Sequence, residues 1–134
     1  MLEAEAHEIA VRSSHDVQVT VDTAQAMLRK LPFTRPVRFQ IATAASELAR
    51  NLVVHAGGGL VRLCVLEHQG RQGFEITAED QGPGIADIDL ALRDGFSTAN
   101  SLGLGLPGVQ RMMDELHFDE GRAVGTRIVA RRWL

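Results

Sequence analysis

Two alternating segments joined by a short glycine-containing turn constrain this chain more than any other feature. Val61, Leu63 and Val65 recur with period two, and after Gln69-Gly70-Arg71-Gln72-Gly73 so do Phe74, Ile76 and Ala78. Strand side chains alternate between faces, so each run presents one apolar row. A tight turn between the runs makes them antiparallel neighbours, whereas parallel strands need a long crossover. A purely parallel, doubly wound sheet is therefore excluded. Asp80 extends the second apolar row by one step. An ionised carboxylate aimed at a core is costly unless something donates to it. The Gly82-Pro83-Gly84 turn that follows lets backbone approach a ligand closely. Asp80 reads either as part of a pocket or as a cap on that turn.

The rest of the chain supplies helices to cover this hairpin. Ile9, Val11 and Ser13 alternate briefly, which predicts a short edge strand. From Asp16 to Leu31 two periods compete. Val17, Val19 and Val21 alternate like a strand, but Val17, Val21, Ala24, Leu28 and Leu31 follow helical spacing over a longer run. The spacing predicts a helix capped by Asp16, with Arg29 and Lys30 at its C-terminal end and Leu31-Pro32 as its stop. Thr34 and Pro36 open a second helix whose core stripe is Ile41, Ala45, Leu48 and Leu52. Glu47 and Asn51 stand one turn apart on a neighbouring face. Gly57-Gly58-Gly59 ends this helix and reads as a flexible exit into a strand over residues 60–66, where Cys64 is expected to pack as an apolar residue. After Ile85, Asp87 is expected to cap a short helix through Leu92, and residues 96–108 carry no hydrophobic period and read as a mobile lid. Val109, Met112, Met113 and Leu116 then resume helical spacing, the methionines packing in or beside the core. Thr126, Ile128 and Ala130 alternate in a last strand. The predicted architecture is α/β, a two-layer sandwich with a mixed β-sheet and helices on one face.

Composition narrows the function. A chain of 134 residues suits one domain, residues 1–134. A net charge of -3 with scattered basic residues argues against nucleic acid and anionic membrane as partners. No apolar run approaches a membrane span, and the N-terminal MLEAEAHEIA lacks the basic-then-apolar pattern of a signal peptide. The lone Cys64 suits a reducing compartment, so the expectation is a soluble, cytoplasmic protein. Lys30 is the single lysine and is not part of a GK[ST] motif, which excludes a Walker-type phosphate loop.

Three elements in fixed order carry the chemistry: a helix with Glu47 and Asn51, a strand ending in Asp80 before Gln81-Gly82-Pro83-Gly84, and the glycines Gly103, Gly105 and Gly108. A glycine-rich loop before a helix offers unpaired amides to phosphate oxygens, although alone it is a weak signal. In combination, ELARN with His55, DxGxG, GxGxxG and the late Gly125-Thr126 resemble the GHKL superfamily. This is the Bergerat nucleotide-binding fold of histidine kinases, the gyrase ATPase domain, Hsp90 and anti-sigma-factor serine kinases. Within it, SELARN, EDQGPGI, DGFST, GLGLPGVQRMMDE and the closing RRWL are most similar to the RsbT-type switch serine/threonine kinases.

The resemblance implies ATP and Mg²⁺ as cofactors. It implies that Asn51 holds the metal bridging the phosphates and that Glu47 is the general base. Asp80 would accept from the adenine amino group with support from Thr126. Gly82 and Gly84 would let the base lie near backbone, and Gly103, Gly105 and Gly108 would wrap the phosphates. His55 falls where relatives often carry a histidine near the phosphates, and a solvent-facing helix end is the alternative. Arg50 and Arg111 are open to phosphate or partner contacts. The implied substrate is a STAS-domain protein of the anti-sigma-antagonist or stressosome class, with a PP2C-type phosphatase or a sigma factor as second partner in a partner-switching pathway. Two other readings stand beside it: a nucleotide-gated binding module with little phosphotransfer, against which the retained Glu47 argues, and a direct anti-sigma factor.

Overall fold

The computed structural model describes residues 1–80, 105–119 and 125–134. Among the described residues five strands and three helices follow in the order β1 (Leu2–Val11), α1 (Ser14–Leu28), α2 (Arg35–Ala56), β2 (Gly59–His68), β3 (Arg71–Glu79), α3 (Leu106–Met112), β4 (Glu115–Phe118) and β5 (Arg127–Trp133). The strands form one sheet in the order β1-β2-β3-β5-β4, and each of its four ladders is antiparallel. This is the expected two-layer α/β arrangement, although a mixed sheet was expected and the described strands pair only antiparallel. The anticipated helix over residues 87–92 and the lid as far as residue 104 lie outside the described residues.

The β2–β3 hairpin has the two-residue turn Gln69-Gly70, with φ of 53° and 77°. Positive φ at both positions gives the strands the twist a hairpin needs, and glycine adopts it without steric cost. The register sets Val61 against Ala78, Leu63 against Ile76 and Val65 against Phe74. Ile128 and Ala130 of β5 continue the same layer. The helices cover this face: Ile41, Ala45, Leu48 and Leu52 of α2 join those strand residues in one buried cluster. Truncating a residue such as Leu48 would cost about 2–5 kcal/mol.

Helix α1 buries Val17, Thr20, Ala24, Met27 and Leu28 and leaves Val19 exposed, so helical spacing overrides the strand-like valines. Asp16 sits in the first turn and accepts from the backbone amide of Arg12 at 2.9 Å, fastening the strand exit to the helix start. The N-cap position belongs to Ser13, and the helix stops at Leu28 rather than Leu31. Thr34 caps α2 as expected, accepting from the amide of Val37, and a proline occupies the first turn.

Three segments depart from expectation. Strand β1 runs from Leu2 instead of from Ile9, because its backbone pairs with β2 along most of its length. Residues 106–108 are already helical and buried, so the loop before α3 ends sooner than the glycine spacing suggests. Leu116 is not helical: Met113 turns extended, Asp114 donates to the Arg131 carbonyl at 2.9 Å, and Glu115–Phe118 becomes an edge strand on β5. Met113 packs in the core with Met112 beside it.

Candidate active site

Strand β3 stops where the chemistry was expected. The amide of Asp80 donates to the carbonyl of Thr126 at 3.0 Å, one step beyond the Glu79–Arg127 pair. Two residues far apart in sequence thus become neighbours at one end of the sheet. Asp80 continues the Phe74-Ile76-Ala78 row and is 7% exposed, while Thr126 is half-buried.

Helix α2 ends at the same place. Gly57 has a φ of 72° at its C-cap, and its amide and that of Gly58 both reach the Leu52 carbonyl. A Cβ on Gly59 would collide with the Glu79 carbonyl oxygen and lie 2.9 Å from Leu52 Cδ2. The end of α2, the start of β2 and the end of β3 therefore pack with no room for a side chain between them. The glycine triplet is not merely a flexible exit; it is what allows this close approach.

Glu47, Asn51 and His55 follow each other at helical spacing along one face of α2. Their exposure rises in steps: Glu47 is 3% exposed, Asn51 half-buried and His55 exposed. Glu47 is therefore not a solvated carboxylate of the helix surface. Arg50, beside Asn51, is half-buried, and Arg111 is exposed on α3. Gly105, with a φ of 69° and ψ of -145°, is the N-cap of α3, and Gly108 lies in its first turn; both are buried, and α3 packs against α2. The fold thus gathers Asp80 and Thr126 at the strand ends, Glu47 and Asn51 on one helix face, and Gly105 and Gly108 on the helix packed beside it. Gly82, Gly84 and Gly103 lie outside the described residues.

These groups have definite capabilities. A carboxylate at a strand end can accept from an amino group, a helix carboxylate can take a proton, and an amide oxygen can serve a hard cation that keeps most of its waters. Among the described residues no group of three or more His, Cys, Asp or Glu side chains could hold a metal by itself. No described helix is long and apolar enough to cross a membrane.

Sequence reasoning missed a second set of polar contacts. On the sheet face away from the helices, Arg131 Nε donates to Glu75 Oε2 at 2.8 Å, and its Nη1 lies 3.4 Å from Glu115 Oε1. The Trp133 indole and His117 also bond Glu115. The hydrogen bond with His117, then that from Trp133, holds the Glu115 carboxyl below its ordinary value despite partial burial. At the far edge Arg62 grips Glu3 with both terminal nitrogens. Cys64 lies fully buried on this face, as a packed residue, and burial pushes its thiol pKa up. The charged run Arg131-Arg132 beside Trp133 was the available signal. Two cavities lined by described residues, of about 330 Å³ beside Trp133 and about 440 Å³ between β1 and α1, lie away from the Asp80 end of the sheet.

Comparison with known proteins places these features among relatives. The family model described as a histidine kinase-like ATPase domain matches residues 11–132. The serine/threonine-protein kinase RsbT of Bacillus subtilis is 40% identical over 126 residues, covering 94% of this chain and 95% of that one. An anti-sigma F factor of Halalkalibacterium halodurans is 29% identical over 117 residues, covering 84% and 80% respectively. A chain in the crystal structure of the SiaB–SiaC complex from Pseudomonas aeruginosa shares the fold, with a TM-score of 0.61 at 12% identity over 98% of this chain and 89% of its own.

Proposed function

The chain belongs to the histidine kinase-like ATPase domain family, and on that premise we propose that it is an ATP- and Mg²⁺-dependent serine/threonine protein kinase of a partner-switching pathway. Its substrate is a hydroxyl on a STAS-domain protein of the anti-sigma-antagonist or stressosome class. One observation carries the reading: Glu47 is buried one turn before half-buried Asn51, on the helix whose end packs against the strand end bearing Asp80. A binding module needs nucleotide contacts but no buried base.

In this reading Asp80 accepts from the adenine amino group, which favours ATP over GTP because guanine presents a carbonyl there. Thr126 supports Asp80, and Gly82 and Gly84 leave room for the base. Gly103, Gly105 and Gly108 follow the phosphates, and His55 stands at the open end of the same helix face. Asn51 fits a magnesium ion because a half-buried amide supplies one oxygen while phosphates and waters complete the shell. When bound, the ion neutralises phosphate charge. Glu47 orients the partner's hydroxyl and takes its proton as oxygen bonds to the terminal phosphorus; the bond to the bridging oxygen breaks and ADP leaves.

The 29% identity to an anti-sigma F factor favours a second output, in which the kinase also sequesters a sigma factor instead of acting through a PP2C-type phosphatase. Incubation with radiolabelled ATP, Mg²⁺ and a STAS protein tests the proposal. Label should move to a serine or threonine of the partner and should not move with Asn51→Ala or without the metal. ATP-dependent partner binding with no label would establish the module instead.

A further inference from the structure

Arg132, on β5 opposite Phe74, ties together the two helices that frame the site. Its Nη1 donates to the Met112 carbonyl at the C-terminal end of α3 at 2.6 Å and to Gln40 Oε1 in the first turns of α2 at 3.2 Å. Its Nε stands 3.9 Å from Asp114 Oδ2, and the amide of the next residue, Trp133, donates to that same oxygen at 2.8 Å. The last carbonyls of a helix have no partner within it, and a cation there also opposes the helix dipole. Arg132 meets both needs at once for α3.

The consequence lies at the other ends of the two helices. Gln40 lies two turns before Glu47 and three before Asn51 on α2. Helix α3 is seven residues long and begins beside Gly105, so at 1.5 Å per residue its two ends are only about 10 Å apart. A short, stiff helix gripped at its C-terminal end transmits that grip to its N-terminal end. We propose that Arg132 is a positioning residue for phosphoryl transfer: it fixes α3 against α2 and so sets the distance from Gly105 and Gly108 to Glu47. This rests on the kinase reading. Arg132 touches neither nucleotide nor hydroxyl; it acts through the helices.

The test uses the full chain with Arg132→Met and Arg132→Lys, at a temperature where melting curves show both folded. ATP affinity, adenosine affinity and single-turnover transfer are measured for each. Adenosine engages the Asp80 end alone, whereas the triphosphate also needs the glycines. Arg132→Met should weaken ATP about tenfold and leave adenosine unchanged, and transfer should fall about 10²-fold, the scale of a misplacement near 1 Å. Arg132→Lys, which keeps a donor for the Met112 carbonyl, should recover much of both. Equal weakening of ATP and adenosine, or unchanged ATP affinity and transfer, would overturn the role while leaving the kinase intact. Wild-type protein that binds no ATP and transfers no phosphate would overturn the kinase reading itself, and the proposal with it.

Discussion

The Asp80 amide and the Thr126 carbonyl are joined by a 3.0 Å hydrogen bond across the ends of β3 and β5. This bond carries the β3–β5 pairing one residue past the strand, where Asp80 is buried at the end of the Phe74-Ile76-Ala78 row.

Asp80→Asn replaces an acceptor-only carboxylate with a side chain that can present a donor to the adenine amino group. A hydrogen bond to a charged group is worth about 1.5–3 kcal/mol, so ATP should bind roughly 10- to 150-fold more weakly. Calorimetric titration with ATP and GTP gives the answer. Unchanged ATP affinity would remove Asp80 from the adenine site.

Glu47→Gln keeps the shape of a buried side chain and removes its basicity. Phosphotransfer should fall by about 10²- to 10⁴-fold with ATP affinity nearly intact. The readout is label transfer beside nucleotide titration on the same preparation. Loss of binding instead of turnover would make Glu47 a structural carboxylate.

Gly59→Ala forces a methyl onto the Glu79 carbonyl oxygen and the Leu52 side chain. Overpacking of this kind costs about 1–3 kcal/mol. Gly57→Ala meets nothing within 4 Å and suffers only from its φ of 72°, worth about 1–2 kcal/mol. Urea denaturation should therefore rank Gly59→Ala as the more damaging and show its ATP affinity reduced, since the collision lies next to Asp80.

Glu115 has a folded-state pKa below its ordinary 4.5, caused first by the His117 hydrogen bond, then by Trp133 and Arg131. A depressed carboxylate contributes stability that is complete above the unfolded pKa and is lost as pH falls through the folded one. Glu115→Gln should cost about 1 kcal/mol at neutral pH, kept small because the side chain is one-third exposed. Denaturation curves should show the gap between wild type and variant shrinking as pH falls below about 5. A gap that widens toward acid would contradict the assignment.

Much of this was legible in the chain. Period-two runs on either side of Gln69-Gly70 predicted the hairpin, Thr34 and Pro36 predicted the start of α2, and the stripe from Ile41 to Leu52 predicted its buried face. Each is local: a turn dihedral, a cap or a spacing acts over a few residues. The family resemblance was legible because Glu47, Asn51, Asp80 and the glycines keep their order along the chain. Less visible were the full length of β1, whose alternating glutamates and alanines carry little apolar signal, and β4, whose four residues fit helical spacing as well as strand spacing.

The sequence by itself determined which elements form and which residue types they carry, because propensity, capping and hydrophobic period act through neighbours in the chain. Tertiary structure alone decided that Glu47 is buried while His55 on the same helix face is open, and that Gly59 is a point of close packing. It also decided that Asp80 meets Thr126 and that Arg132 joins α3 to α2. Those outcomes depend on ladder register and helix packing, where residues distant in sequence compete for the same volume and the same hydrogen bonds.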